Sequence, residues 1–277
     1  MKARLLWSLA LVGAVGWLLF SGSPAHALTF TLTHNDWTYS ENTASAGMGN
    51  FVDPGGVDHM YQNWWWYRVE GANQETVVPV PLRLDSGPQT NSAVLQATTG
   101  GLRIQFTYTL TGVNPSLAKV LIDWEVQNLL PSLRTVNLFA YSDFNLNGSS
   151  AGDSGVLANP NTIRYTEGTT AADVTASTDG LLGYDVGAFS TLRDLLDDGS
   201  VYNVSNSGLP FGPADMTSVF QWRKTLAQNE SMRGTLEKVV NLSYSPPPSG
   251  PVIPEPGTWA LMLSGLAPVA LRLRRKA

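Results

Sequence analysis

The chain has 277 residues, of which 43% are hydrophobic and 14% are charged, and it contains no cysteine. The lack of cysteine excludes thiol catalysis, Cys-ligated zinc and iron–sulfur chemistry. The formal net charge of −5 argues against nucleic acid as a partner, because binding to phosphates requires a basic surface.

The N-terminus has the three parts of a secretory signal peptide. Lys2 and Arg4 are followed by the apolar run Leu5–Phe20, and the small residues Ala25 and Ala27 form a cleavage site for signal peptidase. The apolar run is short for a membrane anchor, which needs about 20 residues. We therefore predict that residues 1–27 are removed and that the mature chain begins at Leu28.

The mature region is more acidic than the whole chain. Two of the 17 basic residues precede position 28 and four follow position 256, so eleven remain against 22 acidic residues, a formal charge of −11. This balance is compatible with a divalent cation or a neutral polysaccharide as ligand.

Alternation of apolar and polar residues dominates the mature region and is typical of strands with one buried face. The alternation is clearest from Leu102 to Leu110 and from Val120 to Gln127, and Thr99-Gly100-Gly101 predicts a hairpin turn before the first of these. Weaker runs cover Leu28–Thr33, Trp64–Glu70, Ala93–Thr98, Thr135–Tyr141, Leu181–Val186, Thr217–Trp222 and Met232–Tyr244.

The segment Trp64, Trp65, Trp66 and Tyr67 has two interpretations. In a strand, these four rings point alternately to opposite faces, so one pair could form a platform on which sugar rings stack. The alternative is that all four belong to a thick core whose second face is covered by another layer.

Asp123 and Glu125 lie two residues apart in a predicted strand and therefore share its polar face, at roughly 7 Å by the strand rise. Two carboxylates at such a separation are what glycoside hydrolysis requires. The alternative is an ordinary solvated sheet face, since no neighbouring apolar pocket is evident that would raise one pKa.

The segment Asp143-Phe144-Asn145-Leu146-Asn147-Gly148 resembles the start of a calcium-binding loop, in which oxygen-bearing side chains alternate before a glycine. Asp143, Asn145, Asn147 and Asp153 are the candidate ligands of a structural calcium ion. The twelfth position of the loop is Ser154 and not a bidentate Glu, and the alternative is an Asx turn at the end of a strand.

The Gly152-Asp153-Ser154-Gly155 segment resembles the nucleophile motif of trypsin-like proteases. That chemistry also needs a histidine and a second, buried Asp, and neither His34 nor His59 has the sequence context of that family. We therefore assign no catalytic residue.

One helix is predicted. Phe189, Leu192, Leu195 and Leu196 follow helical spacing, Ser190 could cap the start, and Gly199 could end the helix. With so many strands and one short helix, we predict an all-β fold with a single antiparallel β-sandwich over residues 28–244, with at most one or two short helices. An N-terminal signal helix and a C-terminal apolar helix would flank this domain.

The C-terminal part divides into a Pro-rich linker, residues 245–253, and a tail, residues 254–277. In the tail, an apolar stretch from Trp259 to Leu271 predicts a short transmembrane helix. The basic residues Arg272, Arg274, Arg275 and Lys276 follow it and would stop transfer across the membrane.

The tail resembles the PEP-CTERM sorting domain. The resemblance rests on Pro254, Glu255 and Pro256, the apolar stretch, Gly265-Leu266 and the basic end, in that order, with Pro268 and Leu273 as mild departures. It implies recognition by an exosortase, a membrane-embedded cysteine transpeptidase of Gram-negative bacteria that cuts near the motif. Such proteins typically accompany exopolysaccharide production and biofilm formation.

These observations together predict an exported protein that is transiently anchored in the membrane and then reaches the cell surface or the medium. Its predicted role is structural or adhesive, in an exopolysaccharide or biofilm matrix, and not enzymatic. The alternatives are a polysaccharide-binding module that uses exposed aromatic residues and a secreted glycan hydrolase. The predicted partners are signal peptidase, an exosortase and exopolysaccharide.

Overall fold

The computed structural model describes residues 29–42, 47–85 and 90–245. The predicted signal peptide with Ala25, Ala27 and Leu28, the sorting motif Pro254–Pro256 and the basic residues 272–276 lie outside the described residues. No helix within the described ranges is long and apolar enough to span a membrane.

Two antiparallel sheets pack face to face, which confirms the predicted all-β sandwich. The strands are β1 Thr29–His34, β2 Trp37–Asn42, β3 Met48–Val52, β4 Met60–Val69, β5 Thr76–Val77, β6 Leu82–Arg83, β7 Ser92–Thr99, β8 Leu102–Asn114, β9 Leu117–Asn128, β10 Arg134–Phe144, β11 Asp153–Asn159, β12 Thr162–Glu167, β13 Thr170–Ala176, β14 Leu181–Ala188, β15 Phe211–Ala214, β16 Met216–Leu226 and β17 Ser231–Asn241. A 3-10 turn, Leu146–Gly148, and one α-helix, α1 Thr191–Asp197, complete the elements.

The first sheet has the order β1-β2-β3-β4-β10-β16-β14, with β5 paired to β4. The second sheet has the order β15-β11-β12-β13-β17-β9-β8-β7-β6. The predicted hairpin is confirmed, since Thr99 pairs with Leu102, and Gly100 and Gly101 both adopt the positive φ that such a tight turn requires.

The main core lies between the sheets and is built by the alternation seen in the sequence. Leu102, Ile104 and Phe106 of β8 are buried in it, as are Ile122 and Trp124 of β9. Aromatic rings join the two sheets at its centre: Trp65 lies 4.7 Å from Phe106, and Trp124 lies 5.0 Å from Trp222, between ring centroids. Such tilted pairs add about 0.5–1.5 kcal/mol each beyond the area they bury.

A second apolar layer covers the outer face of the first sheet. Trp66, Phe139, Tyr141 and Val219 point outward from the sheet and pack against residues of α1 and Tyr202. The first sheet is therefore buried on both faces, which is why β10 is buried without interruption from Val136 to Phe144.

The helix differs from its prediction in detail. It begins at Thr191, and Ser190 precedes it with a φ of +69° and makes no side-chain capping hydrogen bond. Leu192 and Leu196 face the second apolar layer, but Leu195 is exposed and Phe189 lies before the helix, where its ring contacts Tyr61. Helical spacing identified the element but assigned two residues too many, Phe189 and Leu195, to its buried face.

Candidate functional site

The outer face of the second sheet is open to solvent and carries a polar groove of about 330 Å³. Three neighbouring strands form it, in the order β17, β9 and β8. Because alternate residues share a face, their inward residues fill the core while the outward residues are polar. The groove is lined by Gln105, Thr107, Asp123, Glu125, Arg233 and Thr235, with Trp124 and Gly234 between them.

The strand register arranges the polar residues in two rows. Glu125 pairs with Gln105 on one side and Arg233 on the other. Asp123 pairs in the same way with Thr107 and Thr235. With strands about 4.8 Å apart and about 6.7 Å between alternate residues, the two rows span roughly 10 Å by 7 Å.

Glu125 is the most constrained group of the groove. Its Oε1 accepts hydrogen bonds from Ser231 Oγ at 2.6 Å and from Arg233 Nη2 at 3.0 Å, and Arg103 Nη2 lies 4.0 Å away. Although partial burial acts to raise it, the pKa of Glu125 is lowered, because Arg233 and Ser231 donate hydrogen bonds to the ionised form. Glu125 is therefore an ionised acceptor, fixed in place by its neighbours.

Asp123 is exposed and makes no hydrogen bond or ion pair with any described residue. The two carboxylates predicted to share a strand face thus do share one, and only Glu125 is held by other side chains. Neither lies in an apolar pocket, so the structure provides no carboxyl here of the kind that inverting or retaining hydrolases use as a general acid.

The groove can therefore bind a molecule with many hydroxyl groups. Glu125, Asp123 and Gln105 offer acceptors, while Arg233, Gln105 and the threonines offer donors. A volume near 300 Å³ is at the small end of the range for ligand sites, which suits one sugar unit of a longer chain.

The aromatic segment does not form the predicted stacking platform. Trp65 and Tyr67 lie in the main core, Trp66 lies in the second apolar layer, and Trp64 is half-buried beside Trp66 at 4.4 Å between ring centroids. The alternative interpretation, a thick core covered on both faces, describes these four residues correctly. The outward rings of this segment cannot form a stacking platform, because α1 and the segment around Tyr202 cover the outer face of the first sheet.

A separate cavity of about 30 Å³ lies beside Trp64 and Trp65, lined also by Glu41, Asn63 and Tyr108. The Glu41 carboxylate accepts hydrogen bonds from Tyr39, Asn63 and Tyr108. Burial raises the pKa of Glu41. This cavity has room for one or two water molecules and not for a sugar.

The predicted calcium ligands are partly brought together. Asp143 at the end of β10 and Asp153 at the start of β11 are both fully buried and interact electrostatically. Asn147 is used elsewhere: its Oδ1 accepts a hydrogen bond from Thr170 Oγ1 at 2.7 Å, and its Nδ2 donates to the carbonyl oxygen of Glu167 at 3.2 Å. It is therefore removed from the predicted ligand set. Within the described ranges, no three His, Asp or Glu side chains are grouped so that they could hold a metal ion by themselves.

The protease-like segment has no histidine available to it. His59 Nδ1 accepts a hydrogen bond from the Asn147 amide, and His59 Nε2 lies 3.3 Å from Asp53. His34 Nδ1 accepts a hydrogen bond from the Gly112 amide. Ser154 therefore has no general base among the described histidines.

Sequence reasoning found Asp123 and Glu125 but missed Gln105, Thr107, Arg233 and Thr235. The alternation in the sequence does place these four on polar strand faces. It does not reveal that β17 lies next to β9, more than one hundred residues earlier in the chain.

Comparison with known proteins gives a likeness in structure alone. No family model matches the chain, and no curated protein matches it in sequence. A GalM/aldose epimerase homologue from Caenorhabditis elegans is similar over 79% of this chain and 100% of its own, with a TM-score of 0.50 and 9% identity. A putative aldose 1-epimerase from Escherichia coli K12 is similar over 77% and 99%, with a TM-score of 0.47 and 11% identity.

A bacterial glucoamylase complexed with acarbose is similar over 77% of this chain, with a TM-score of 0.49 and 11% identity, and the chain spans about a third of its length. At such low identity the likeness to the epimerase homologue shows the fold alone. It overturns the prediction that the chain is not an enzyme, because a protein named as an aldose epimerase homologue is built on that fold.

Proposed function

We propose that this protein is exported from the cell and that its β-sandwich binds a carbohydrate chain in the groove around Glu125. The observation that carries the proposal is the double row of polar side chains on the open sheet, in which Arg233 and Ser231 hold an ionised Glu125. Preorganised acceptors and donors of this kind recognise sugar hydroxyls without having to reorganise on binding. The acidic surface favours neutral over anionic polysaccharides.

Affinity electrophoresis through gels containing neutral or acidic polysaccharides tests this proposal. Migration of the full-length protein in detergent should be retarded by at least one neutral polysaccharide, and Glu125→Gln and Asp123→Asn should each reduce the retardation several-fold. Glu237→Gln is the matched control, because Glu237 lies on the same face of β17 but pairs with Lys119 at 3.1 Å, outside the groove. Equal retardation of all three variants would place binding elsewhere.

A second candidate function is proton transfer at the anomeric centre of a sugar. The observation that favours it is the pair of carboxylates on one face, where the ionised Glu125 can accept a proton as a weak base, because its pKa is lowered, and Arg233 lies beside it to stabilise charge. Interconversion of sugar anomers should be followed by NMR in the presence of the protein. Because a positioned base contributes about 10²–10⁴-fold, Glu125→Gln should remove most of any acceleration, while Glu237→Gln should leave it unchanged. No acceleration by the unaltered protein would reject this candidate.

The proposed route out of the cell rests on the two ends of the sequence. The intact mass of the protein should be measured in medium and in membranes, in hosts with and without an exosortase. A species that starts at Leu28 and ends near Pro254–Pro256, found with the exosortase alone, would support sorting. A species that retains Arg275 in both hosts would contradict it.

A further inference from the structure

A corner of the sandwich joins the two sheets close to Asp143. There β10 of the first sheet ends, and the chain crosses to β11 of the second sheet; nearby, the chain returns from β15 to β16. Asp143 pairs with Thr217, and Asp153 pairs with Ala214, the residue before Asp215. Three carboxylates from distant parts of the sequence therefore approach one another at this corner.

Two of these carboxylates are buried without partners. Asp143 and Asp153 are each 0% exposed, and the donors that approach them, the Tyr141 hydroxyl and the Leu146 amide, form no hydrogen bond of good geometry with their four carboxylate oxygens. The Oδ1 atoms of Asn145 and Asp215 are also buried and lack a donor. Leaving a buried oxygen unpaired is unfavourable, and more so when the oxygen is charged. The number of unpaired acceptors at this one place therefore indicates a missing positive ligand.

The surrounding charges do not supply that ligand. Asp215 and Glu167 add negative charge. Two positive groups act on Asp143, namely Lys238 of β17 and Arg193 of α1, but neither forms an ion pair with it within 4 Å. Burial and the neighbouring carboxylates raise the pKa of Asp143 and that of Asp153 to about 8.

We propose that this corner binds a calcium ion, with Asp143 and Asp153 as its charged ligands and with Asn145 and Asp215 supplying further oxygens. The ligands are hard oxygen atoms, which calcium binds in flexible geometries, whereas magnesium demands a near-ideal octahedron. Backbone carbonyls and water would complete the shell, since too few carboxylates converge to do so alone. The ion would connect the end of β10 to the start of β11 and so clamp the two sheets together.

Terbium luminescence and thermal unfolding of the full-length protein in detergent test the proposal. Tyr141 lies close enough to Asp143 to affect its pKa and should sensitise bound terbium. Calcium should displace terbium, and calcium at about one hundred times its Kd should raise Tm by roughly 5–10 °C relative to EDTA.

Asp153→Asn should weaken calcium binding at least tenfold. The exposed Asp179→Asn, which lies outside the corner, is the matched control and should bind calcium like the unaltered protein. If Asp153→Asn does not fold, the unaltered protein alone decides the matter. Its failure to show a calcium-dependent Tm would overturn the proposal. This site is distinct from the groove, so either proposal can fail without the other.

Discussion

Removal of the Arg68 guanidinium should strongly destabilise this protein. Arg68 points outward from β4 and is buried, and its Nη1 forms an ion pair with Glu75. Nη1 also donates a hydrogen bond to the Tyr202 carbonyl oxygen at 2.6 Å, and Nη2 donates one to Asn203 Oδ1 at 2.7 Å. The Glu75 carboxylate is also buried and accepts a hydrogen bond from the Tyr202 amide at 3.0 Å. This ion pair therefore attaches the segment after α1 to the outer face of the first sheet.

Arg68→Met keeps the apolar stem of the side chain and removes the guanidinium, so the main effect is an unpaired buried carboxylate. Breaking one partner of a buried pair costs about 3–5 kcal/mol, and the remaining Tyr202 hydrogen bond places the expected loss near 3 kcal/mol. With a slope of about 2.5 kcal/mol per M, the urea midpoint should fall by roughly 1.2 M. Glu75→Gln added to Arg68→Met removes the unpaired charge, and we expect it to recover more than half of the loss.

Lys119→Met is the matched control, because Lys119 and Glu237 form an ion pair that is partly exposed on both sides. Such a pair contributes about 0.2–1 kcal/mol, so the midpoint should move by less than about 0.4 M. The reasoning would be refuted if Arg68→Met cost no more than Lys119→Met. It would also be refuted if the double variant were no more stable than Arg68→Met alone.

Three further predictions concern other parts of the molecule. Trp65→Ala should lower the free energy of unfolding, measured in urea, by about 3–5 kcal/mol, and Trp64→Ala should lower it by less than half of that, since only Trp65 of the two lies in the main core. Equal losses would contradict the assigned faces. Asp185 accepts hydrogen bonds from Ser205 and Ser207 at 2.9–3.0 Å, so Asp185→Ala should speed hydrogen exchange over residues 202–207, and unchanged exchange would be the contrary result. Burial lowers the pKa of Lys238 to about 7, well below its unfolded value near 10.5. Between these two values Lys238 is protonated in the unfolded state and neutral in the folded state, so its contribution to stability should rise with pH. The buried tyrosines, whose pKa values are raised, lower the stability of both proteins at high pH, so the two proteins are compared with each other. From pH 8.5 to 10 the stability of the unaltered protein relative to Lys238→Met should rise by about 2 kcal/mol, and a constant difference would contradict the prediction.

The strands were largely predictable because alternation is a local property. A strand that buries one face must place apolar residues at every second position, so the run from Leu102 to Leu110 identified β8 and its buried face directly. The hairpin at Gly100 was predictable for a similar local reason, the need for positive φ. Short or irregular strands such as β3 and β15 were missed, because five or fewer residues carry too little alternation to be recognised.

Which polar residues meet was decided by tertiary structure alone. Asp123 and Glu125 share a face by local geometry, but Arg233 reaches Glu125 because β17 pairs with β9 in one particular register. The burial of Trp66 depends in the same way on tertiary packing, because α1, which covers it, lies far from β4 in the sequence. Asp143 and Asp153 were identified from the sequence, whereas Asp215 joins them only through the crossing from β15 to β16. Composition and periodicity are fixed along the chain, but strand pairing is set by the combined burial of many distant residues, and it is this pairing that builds both sites.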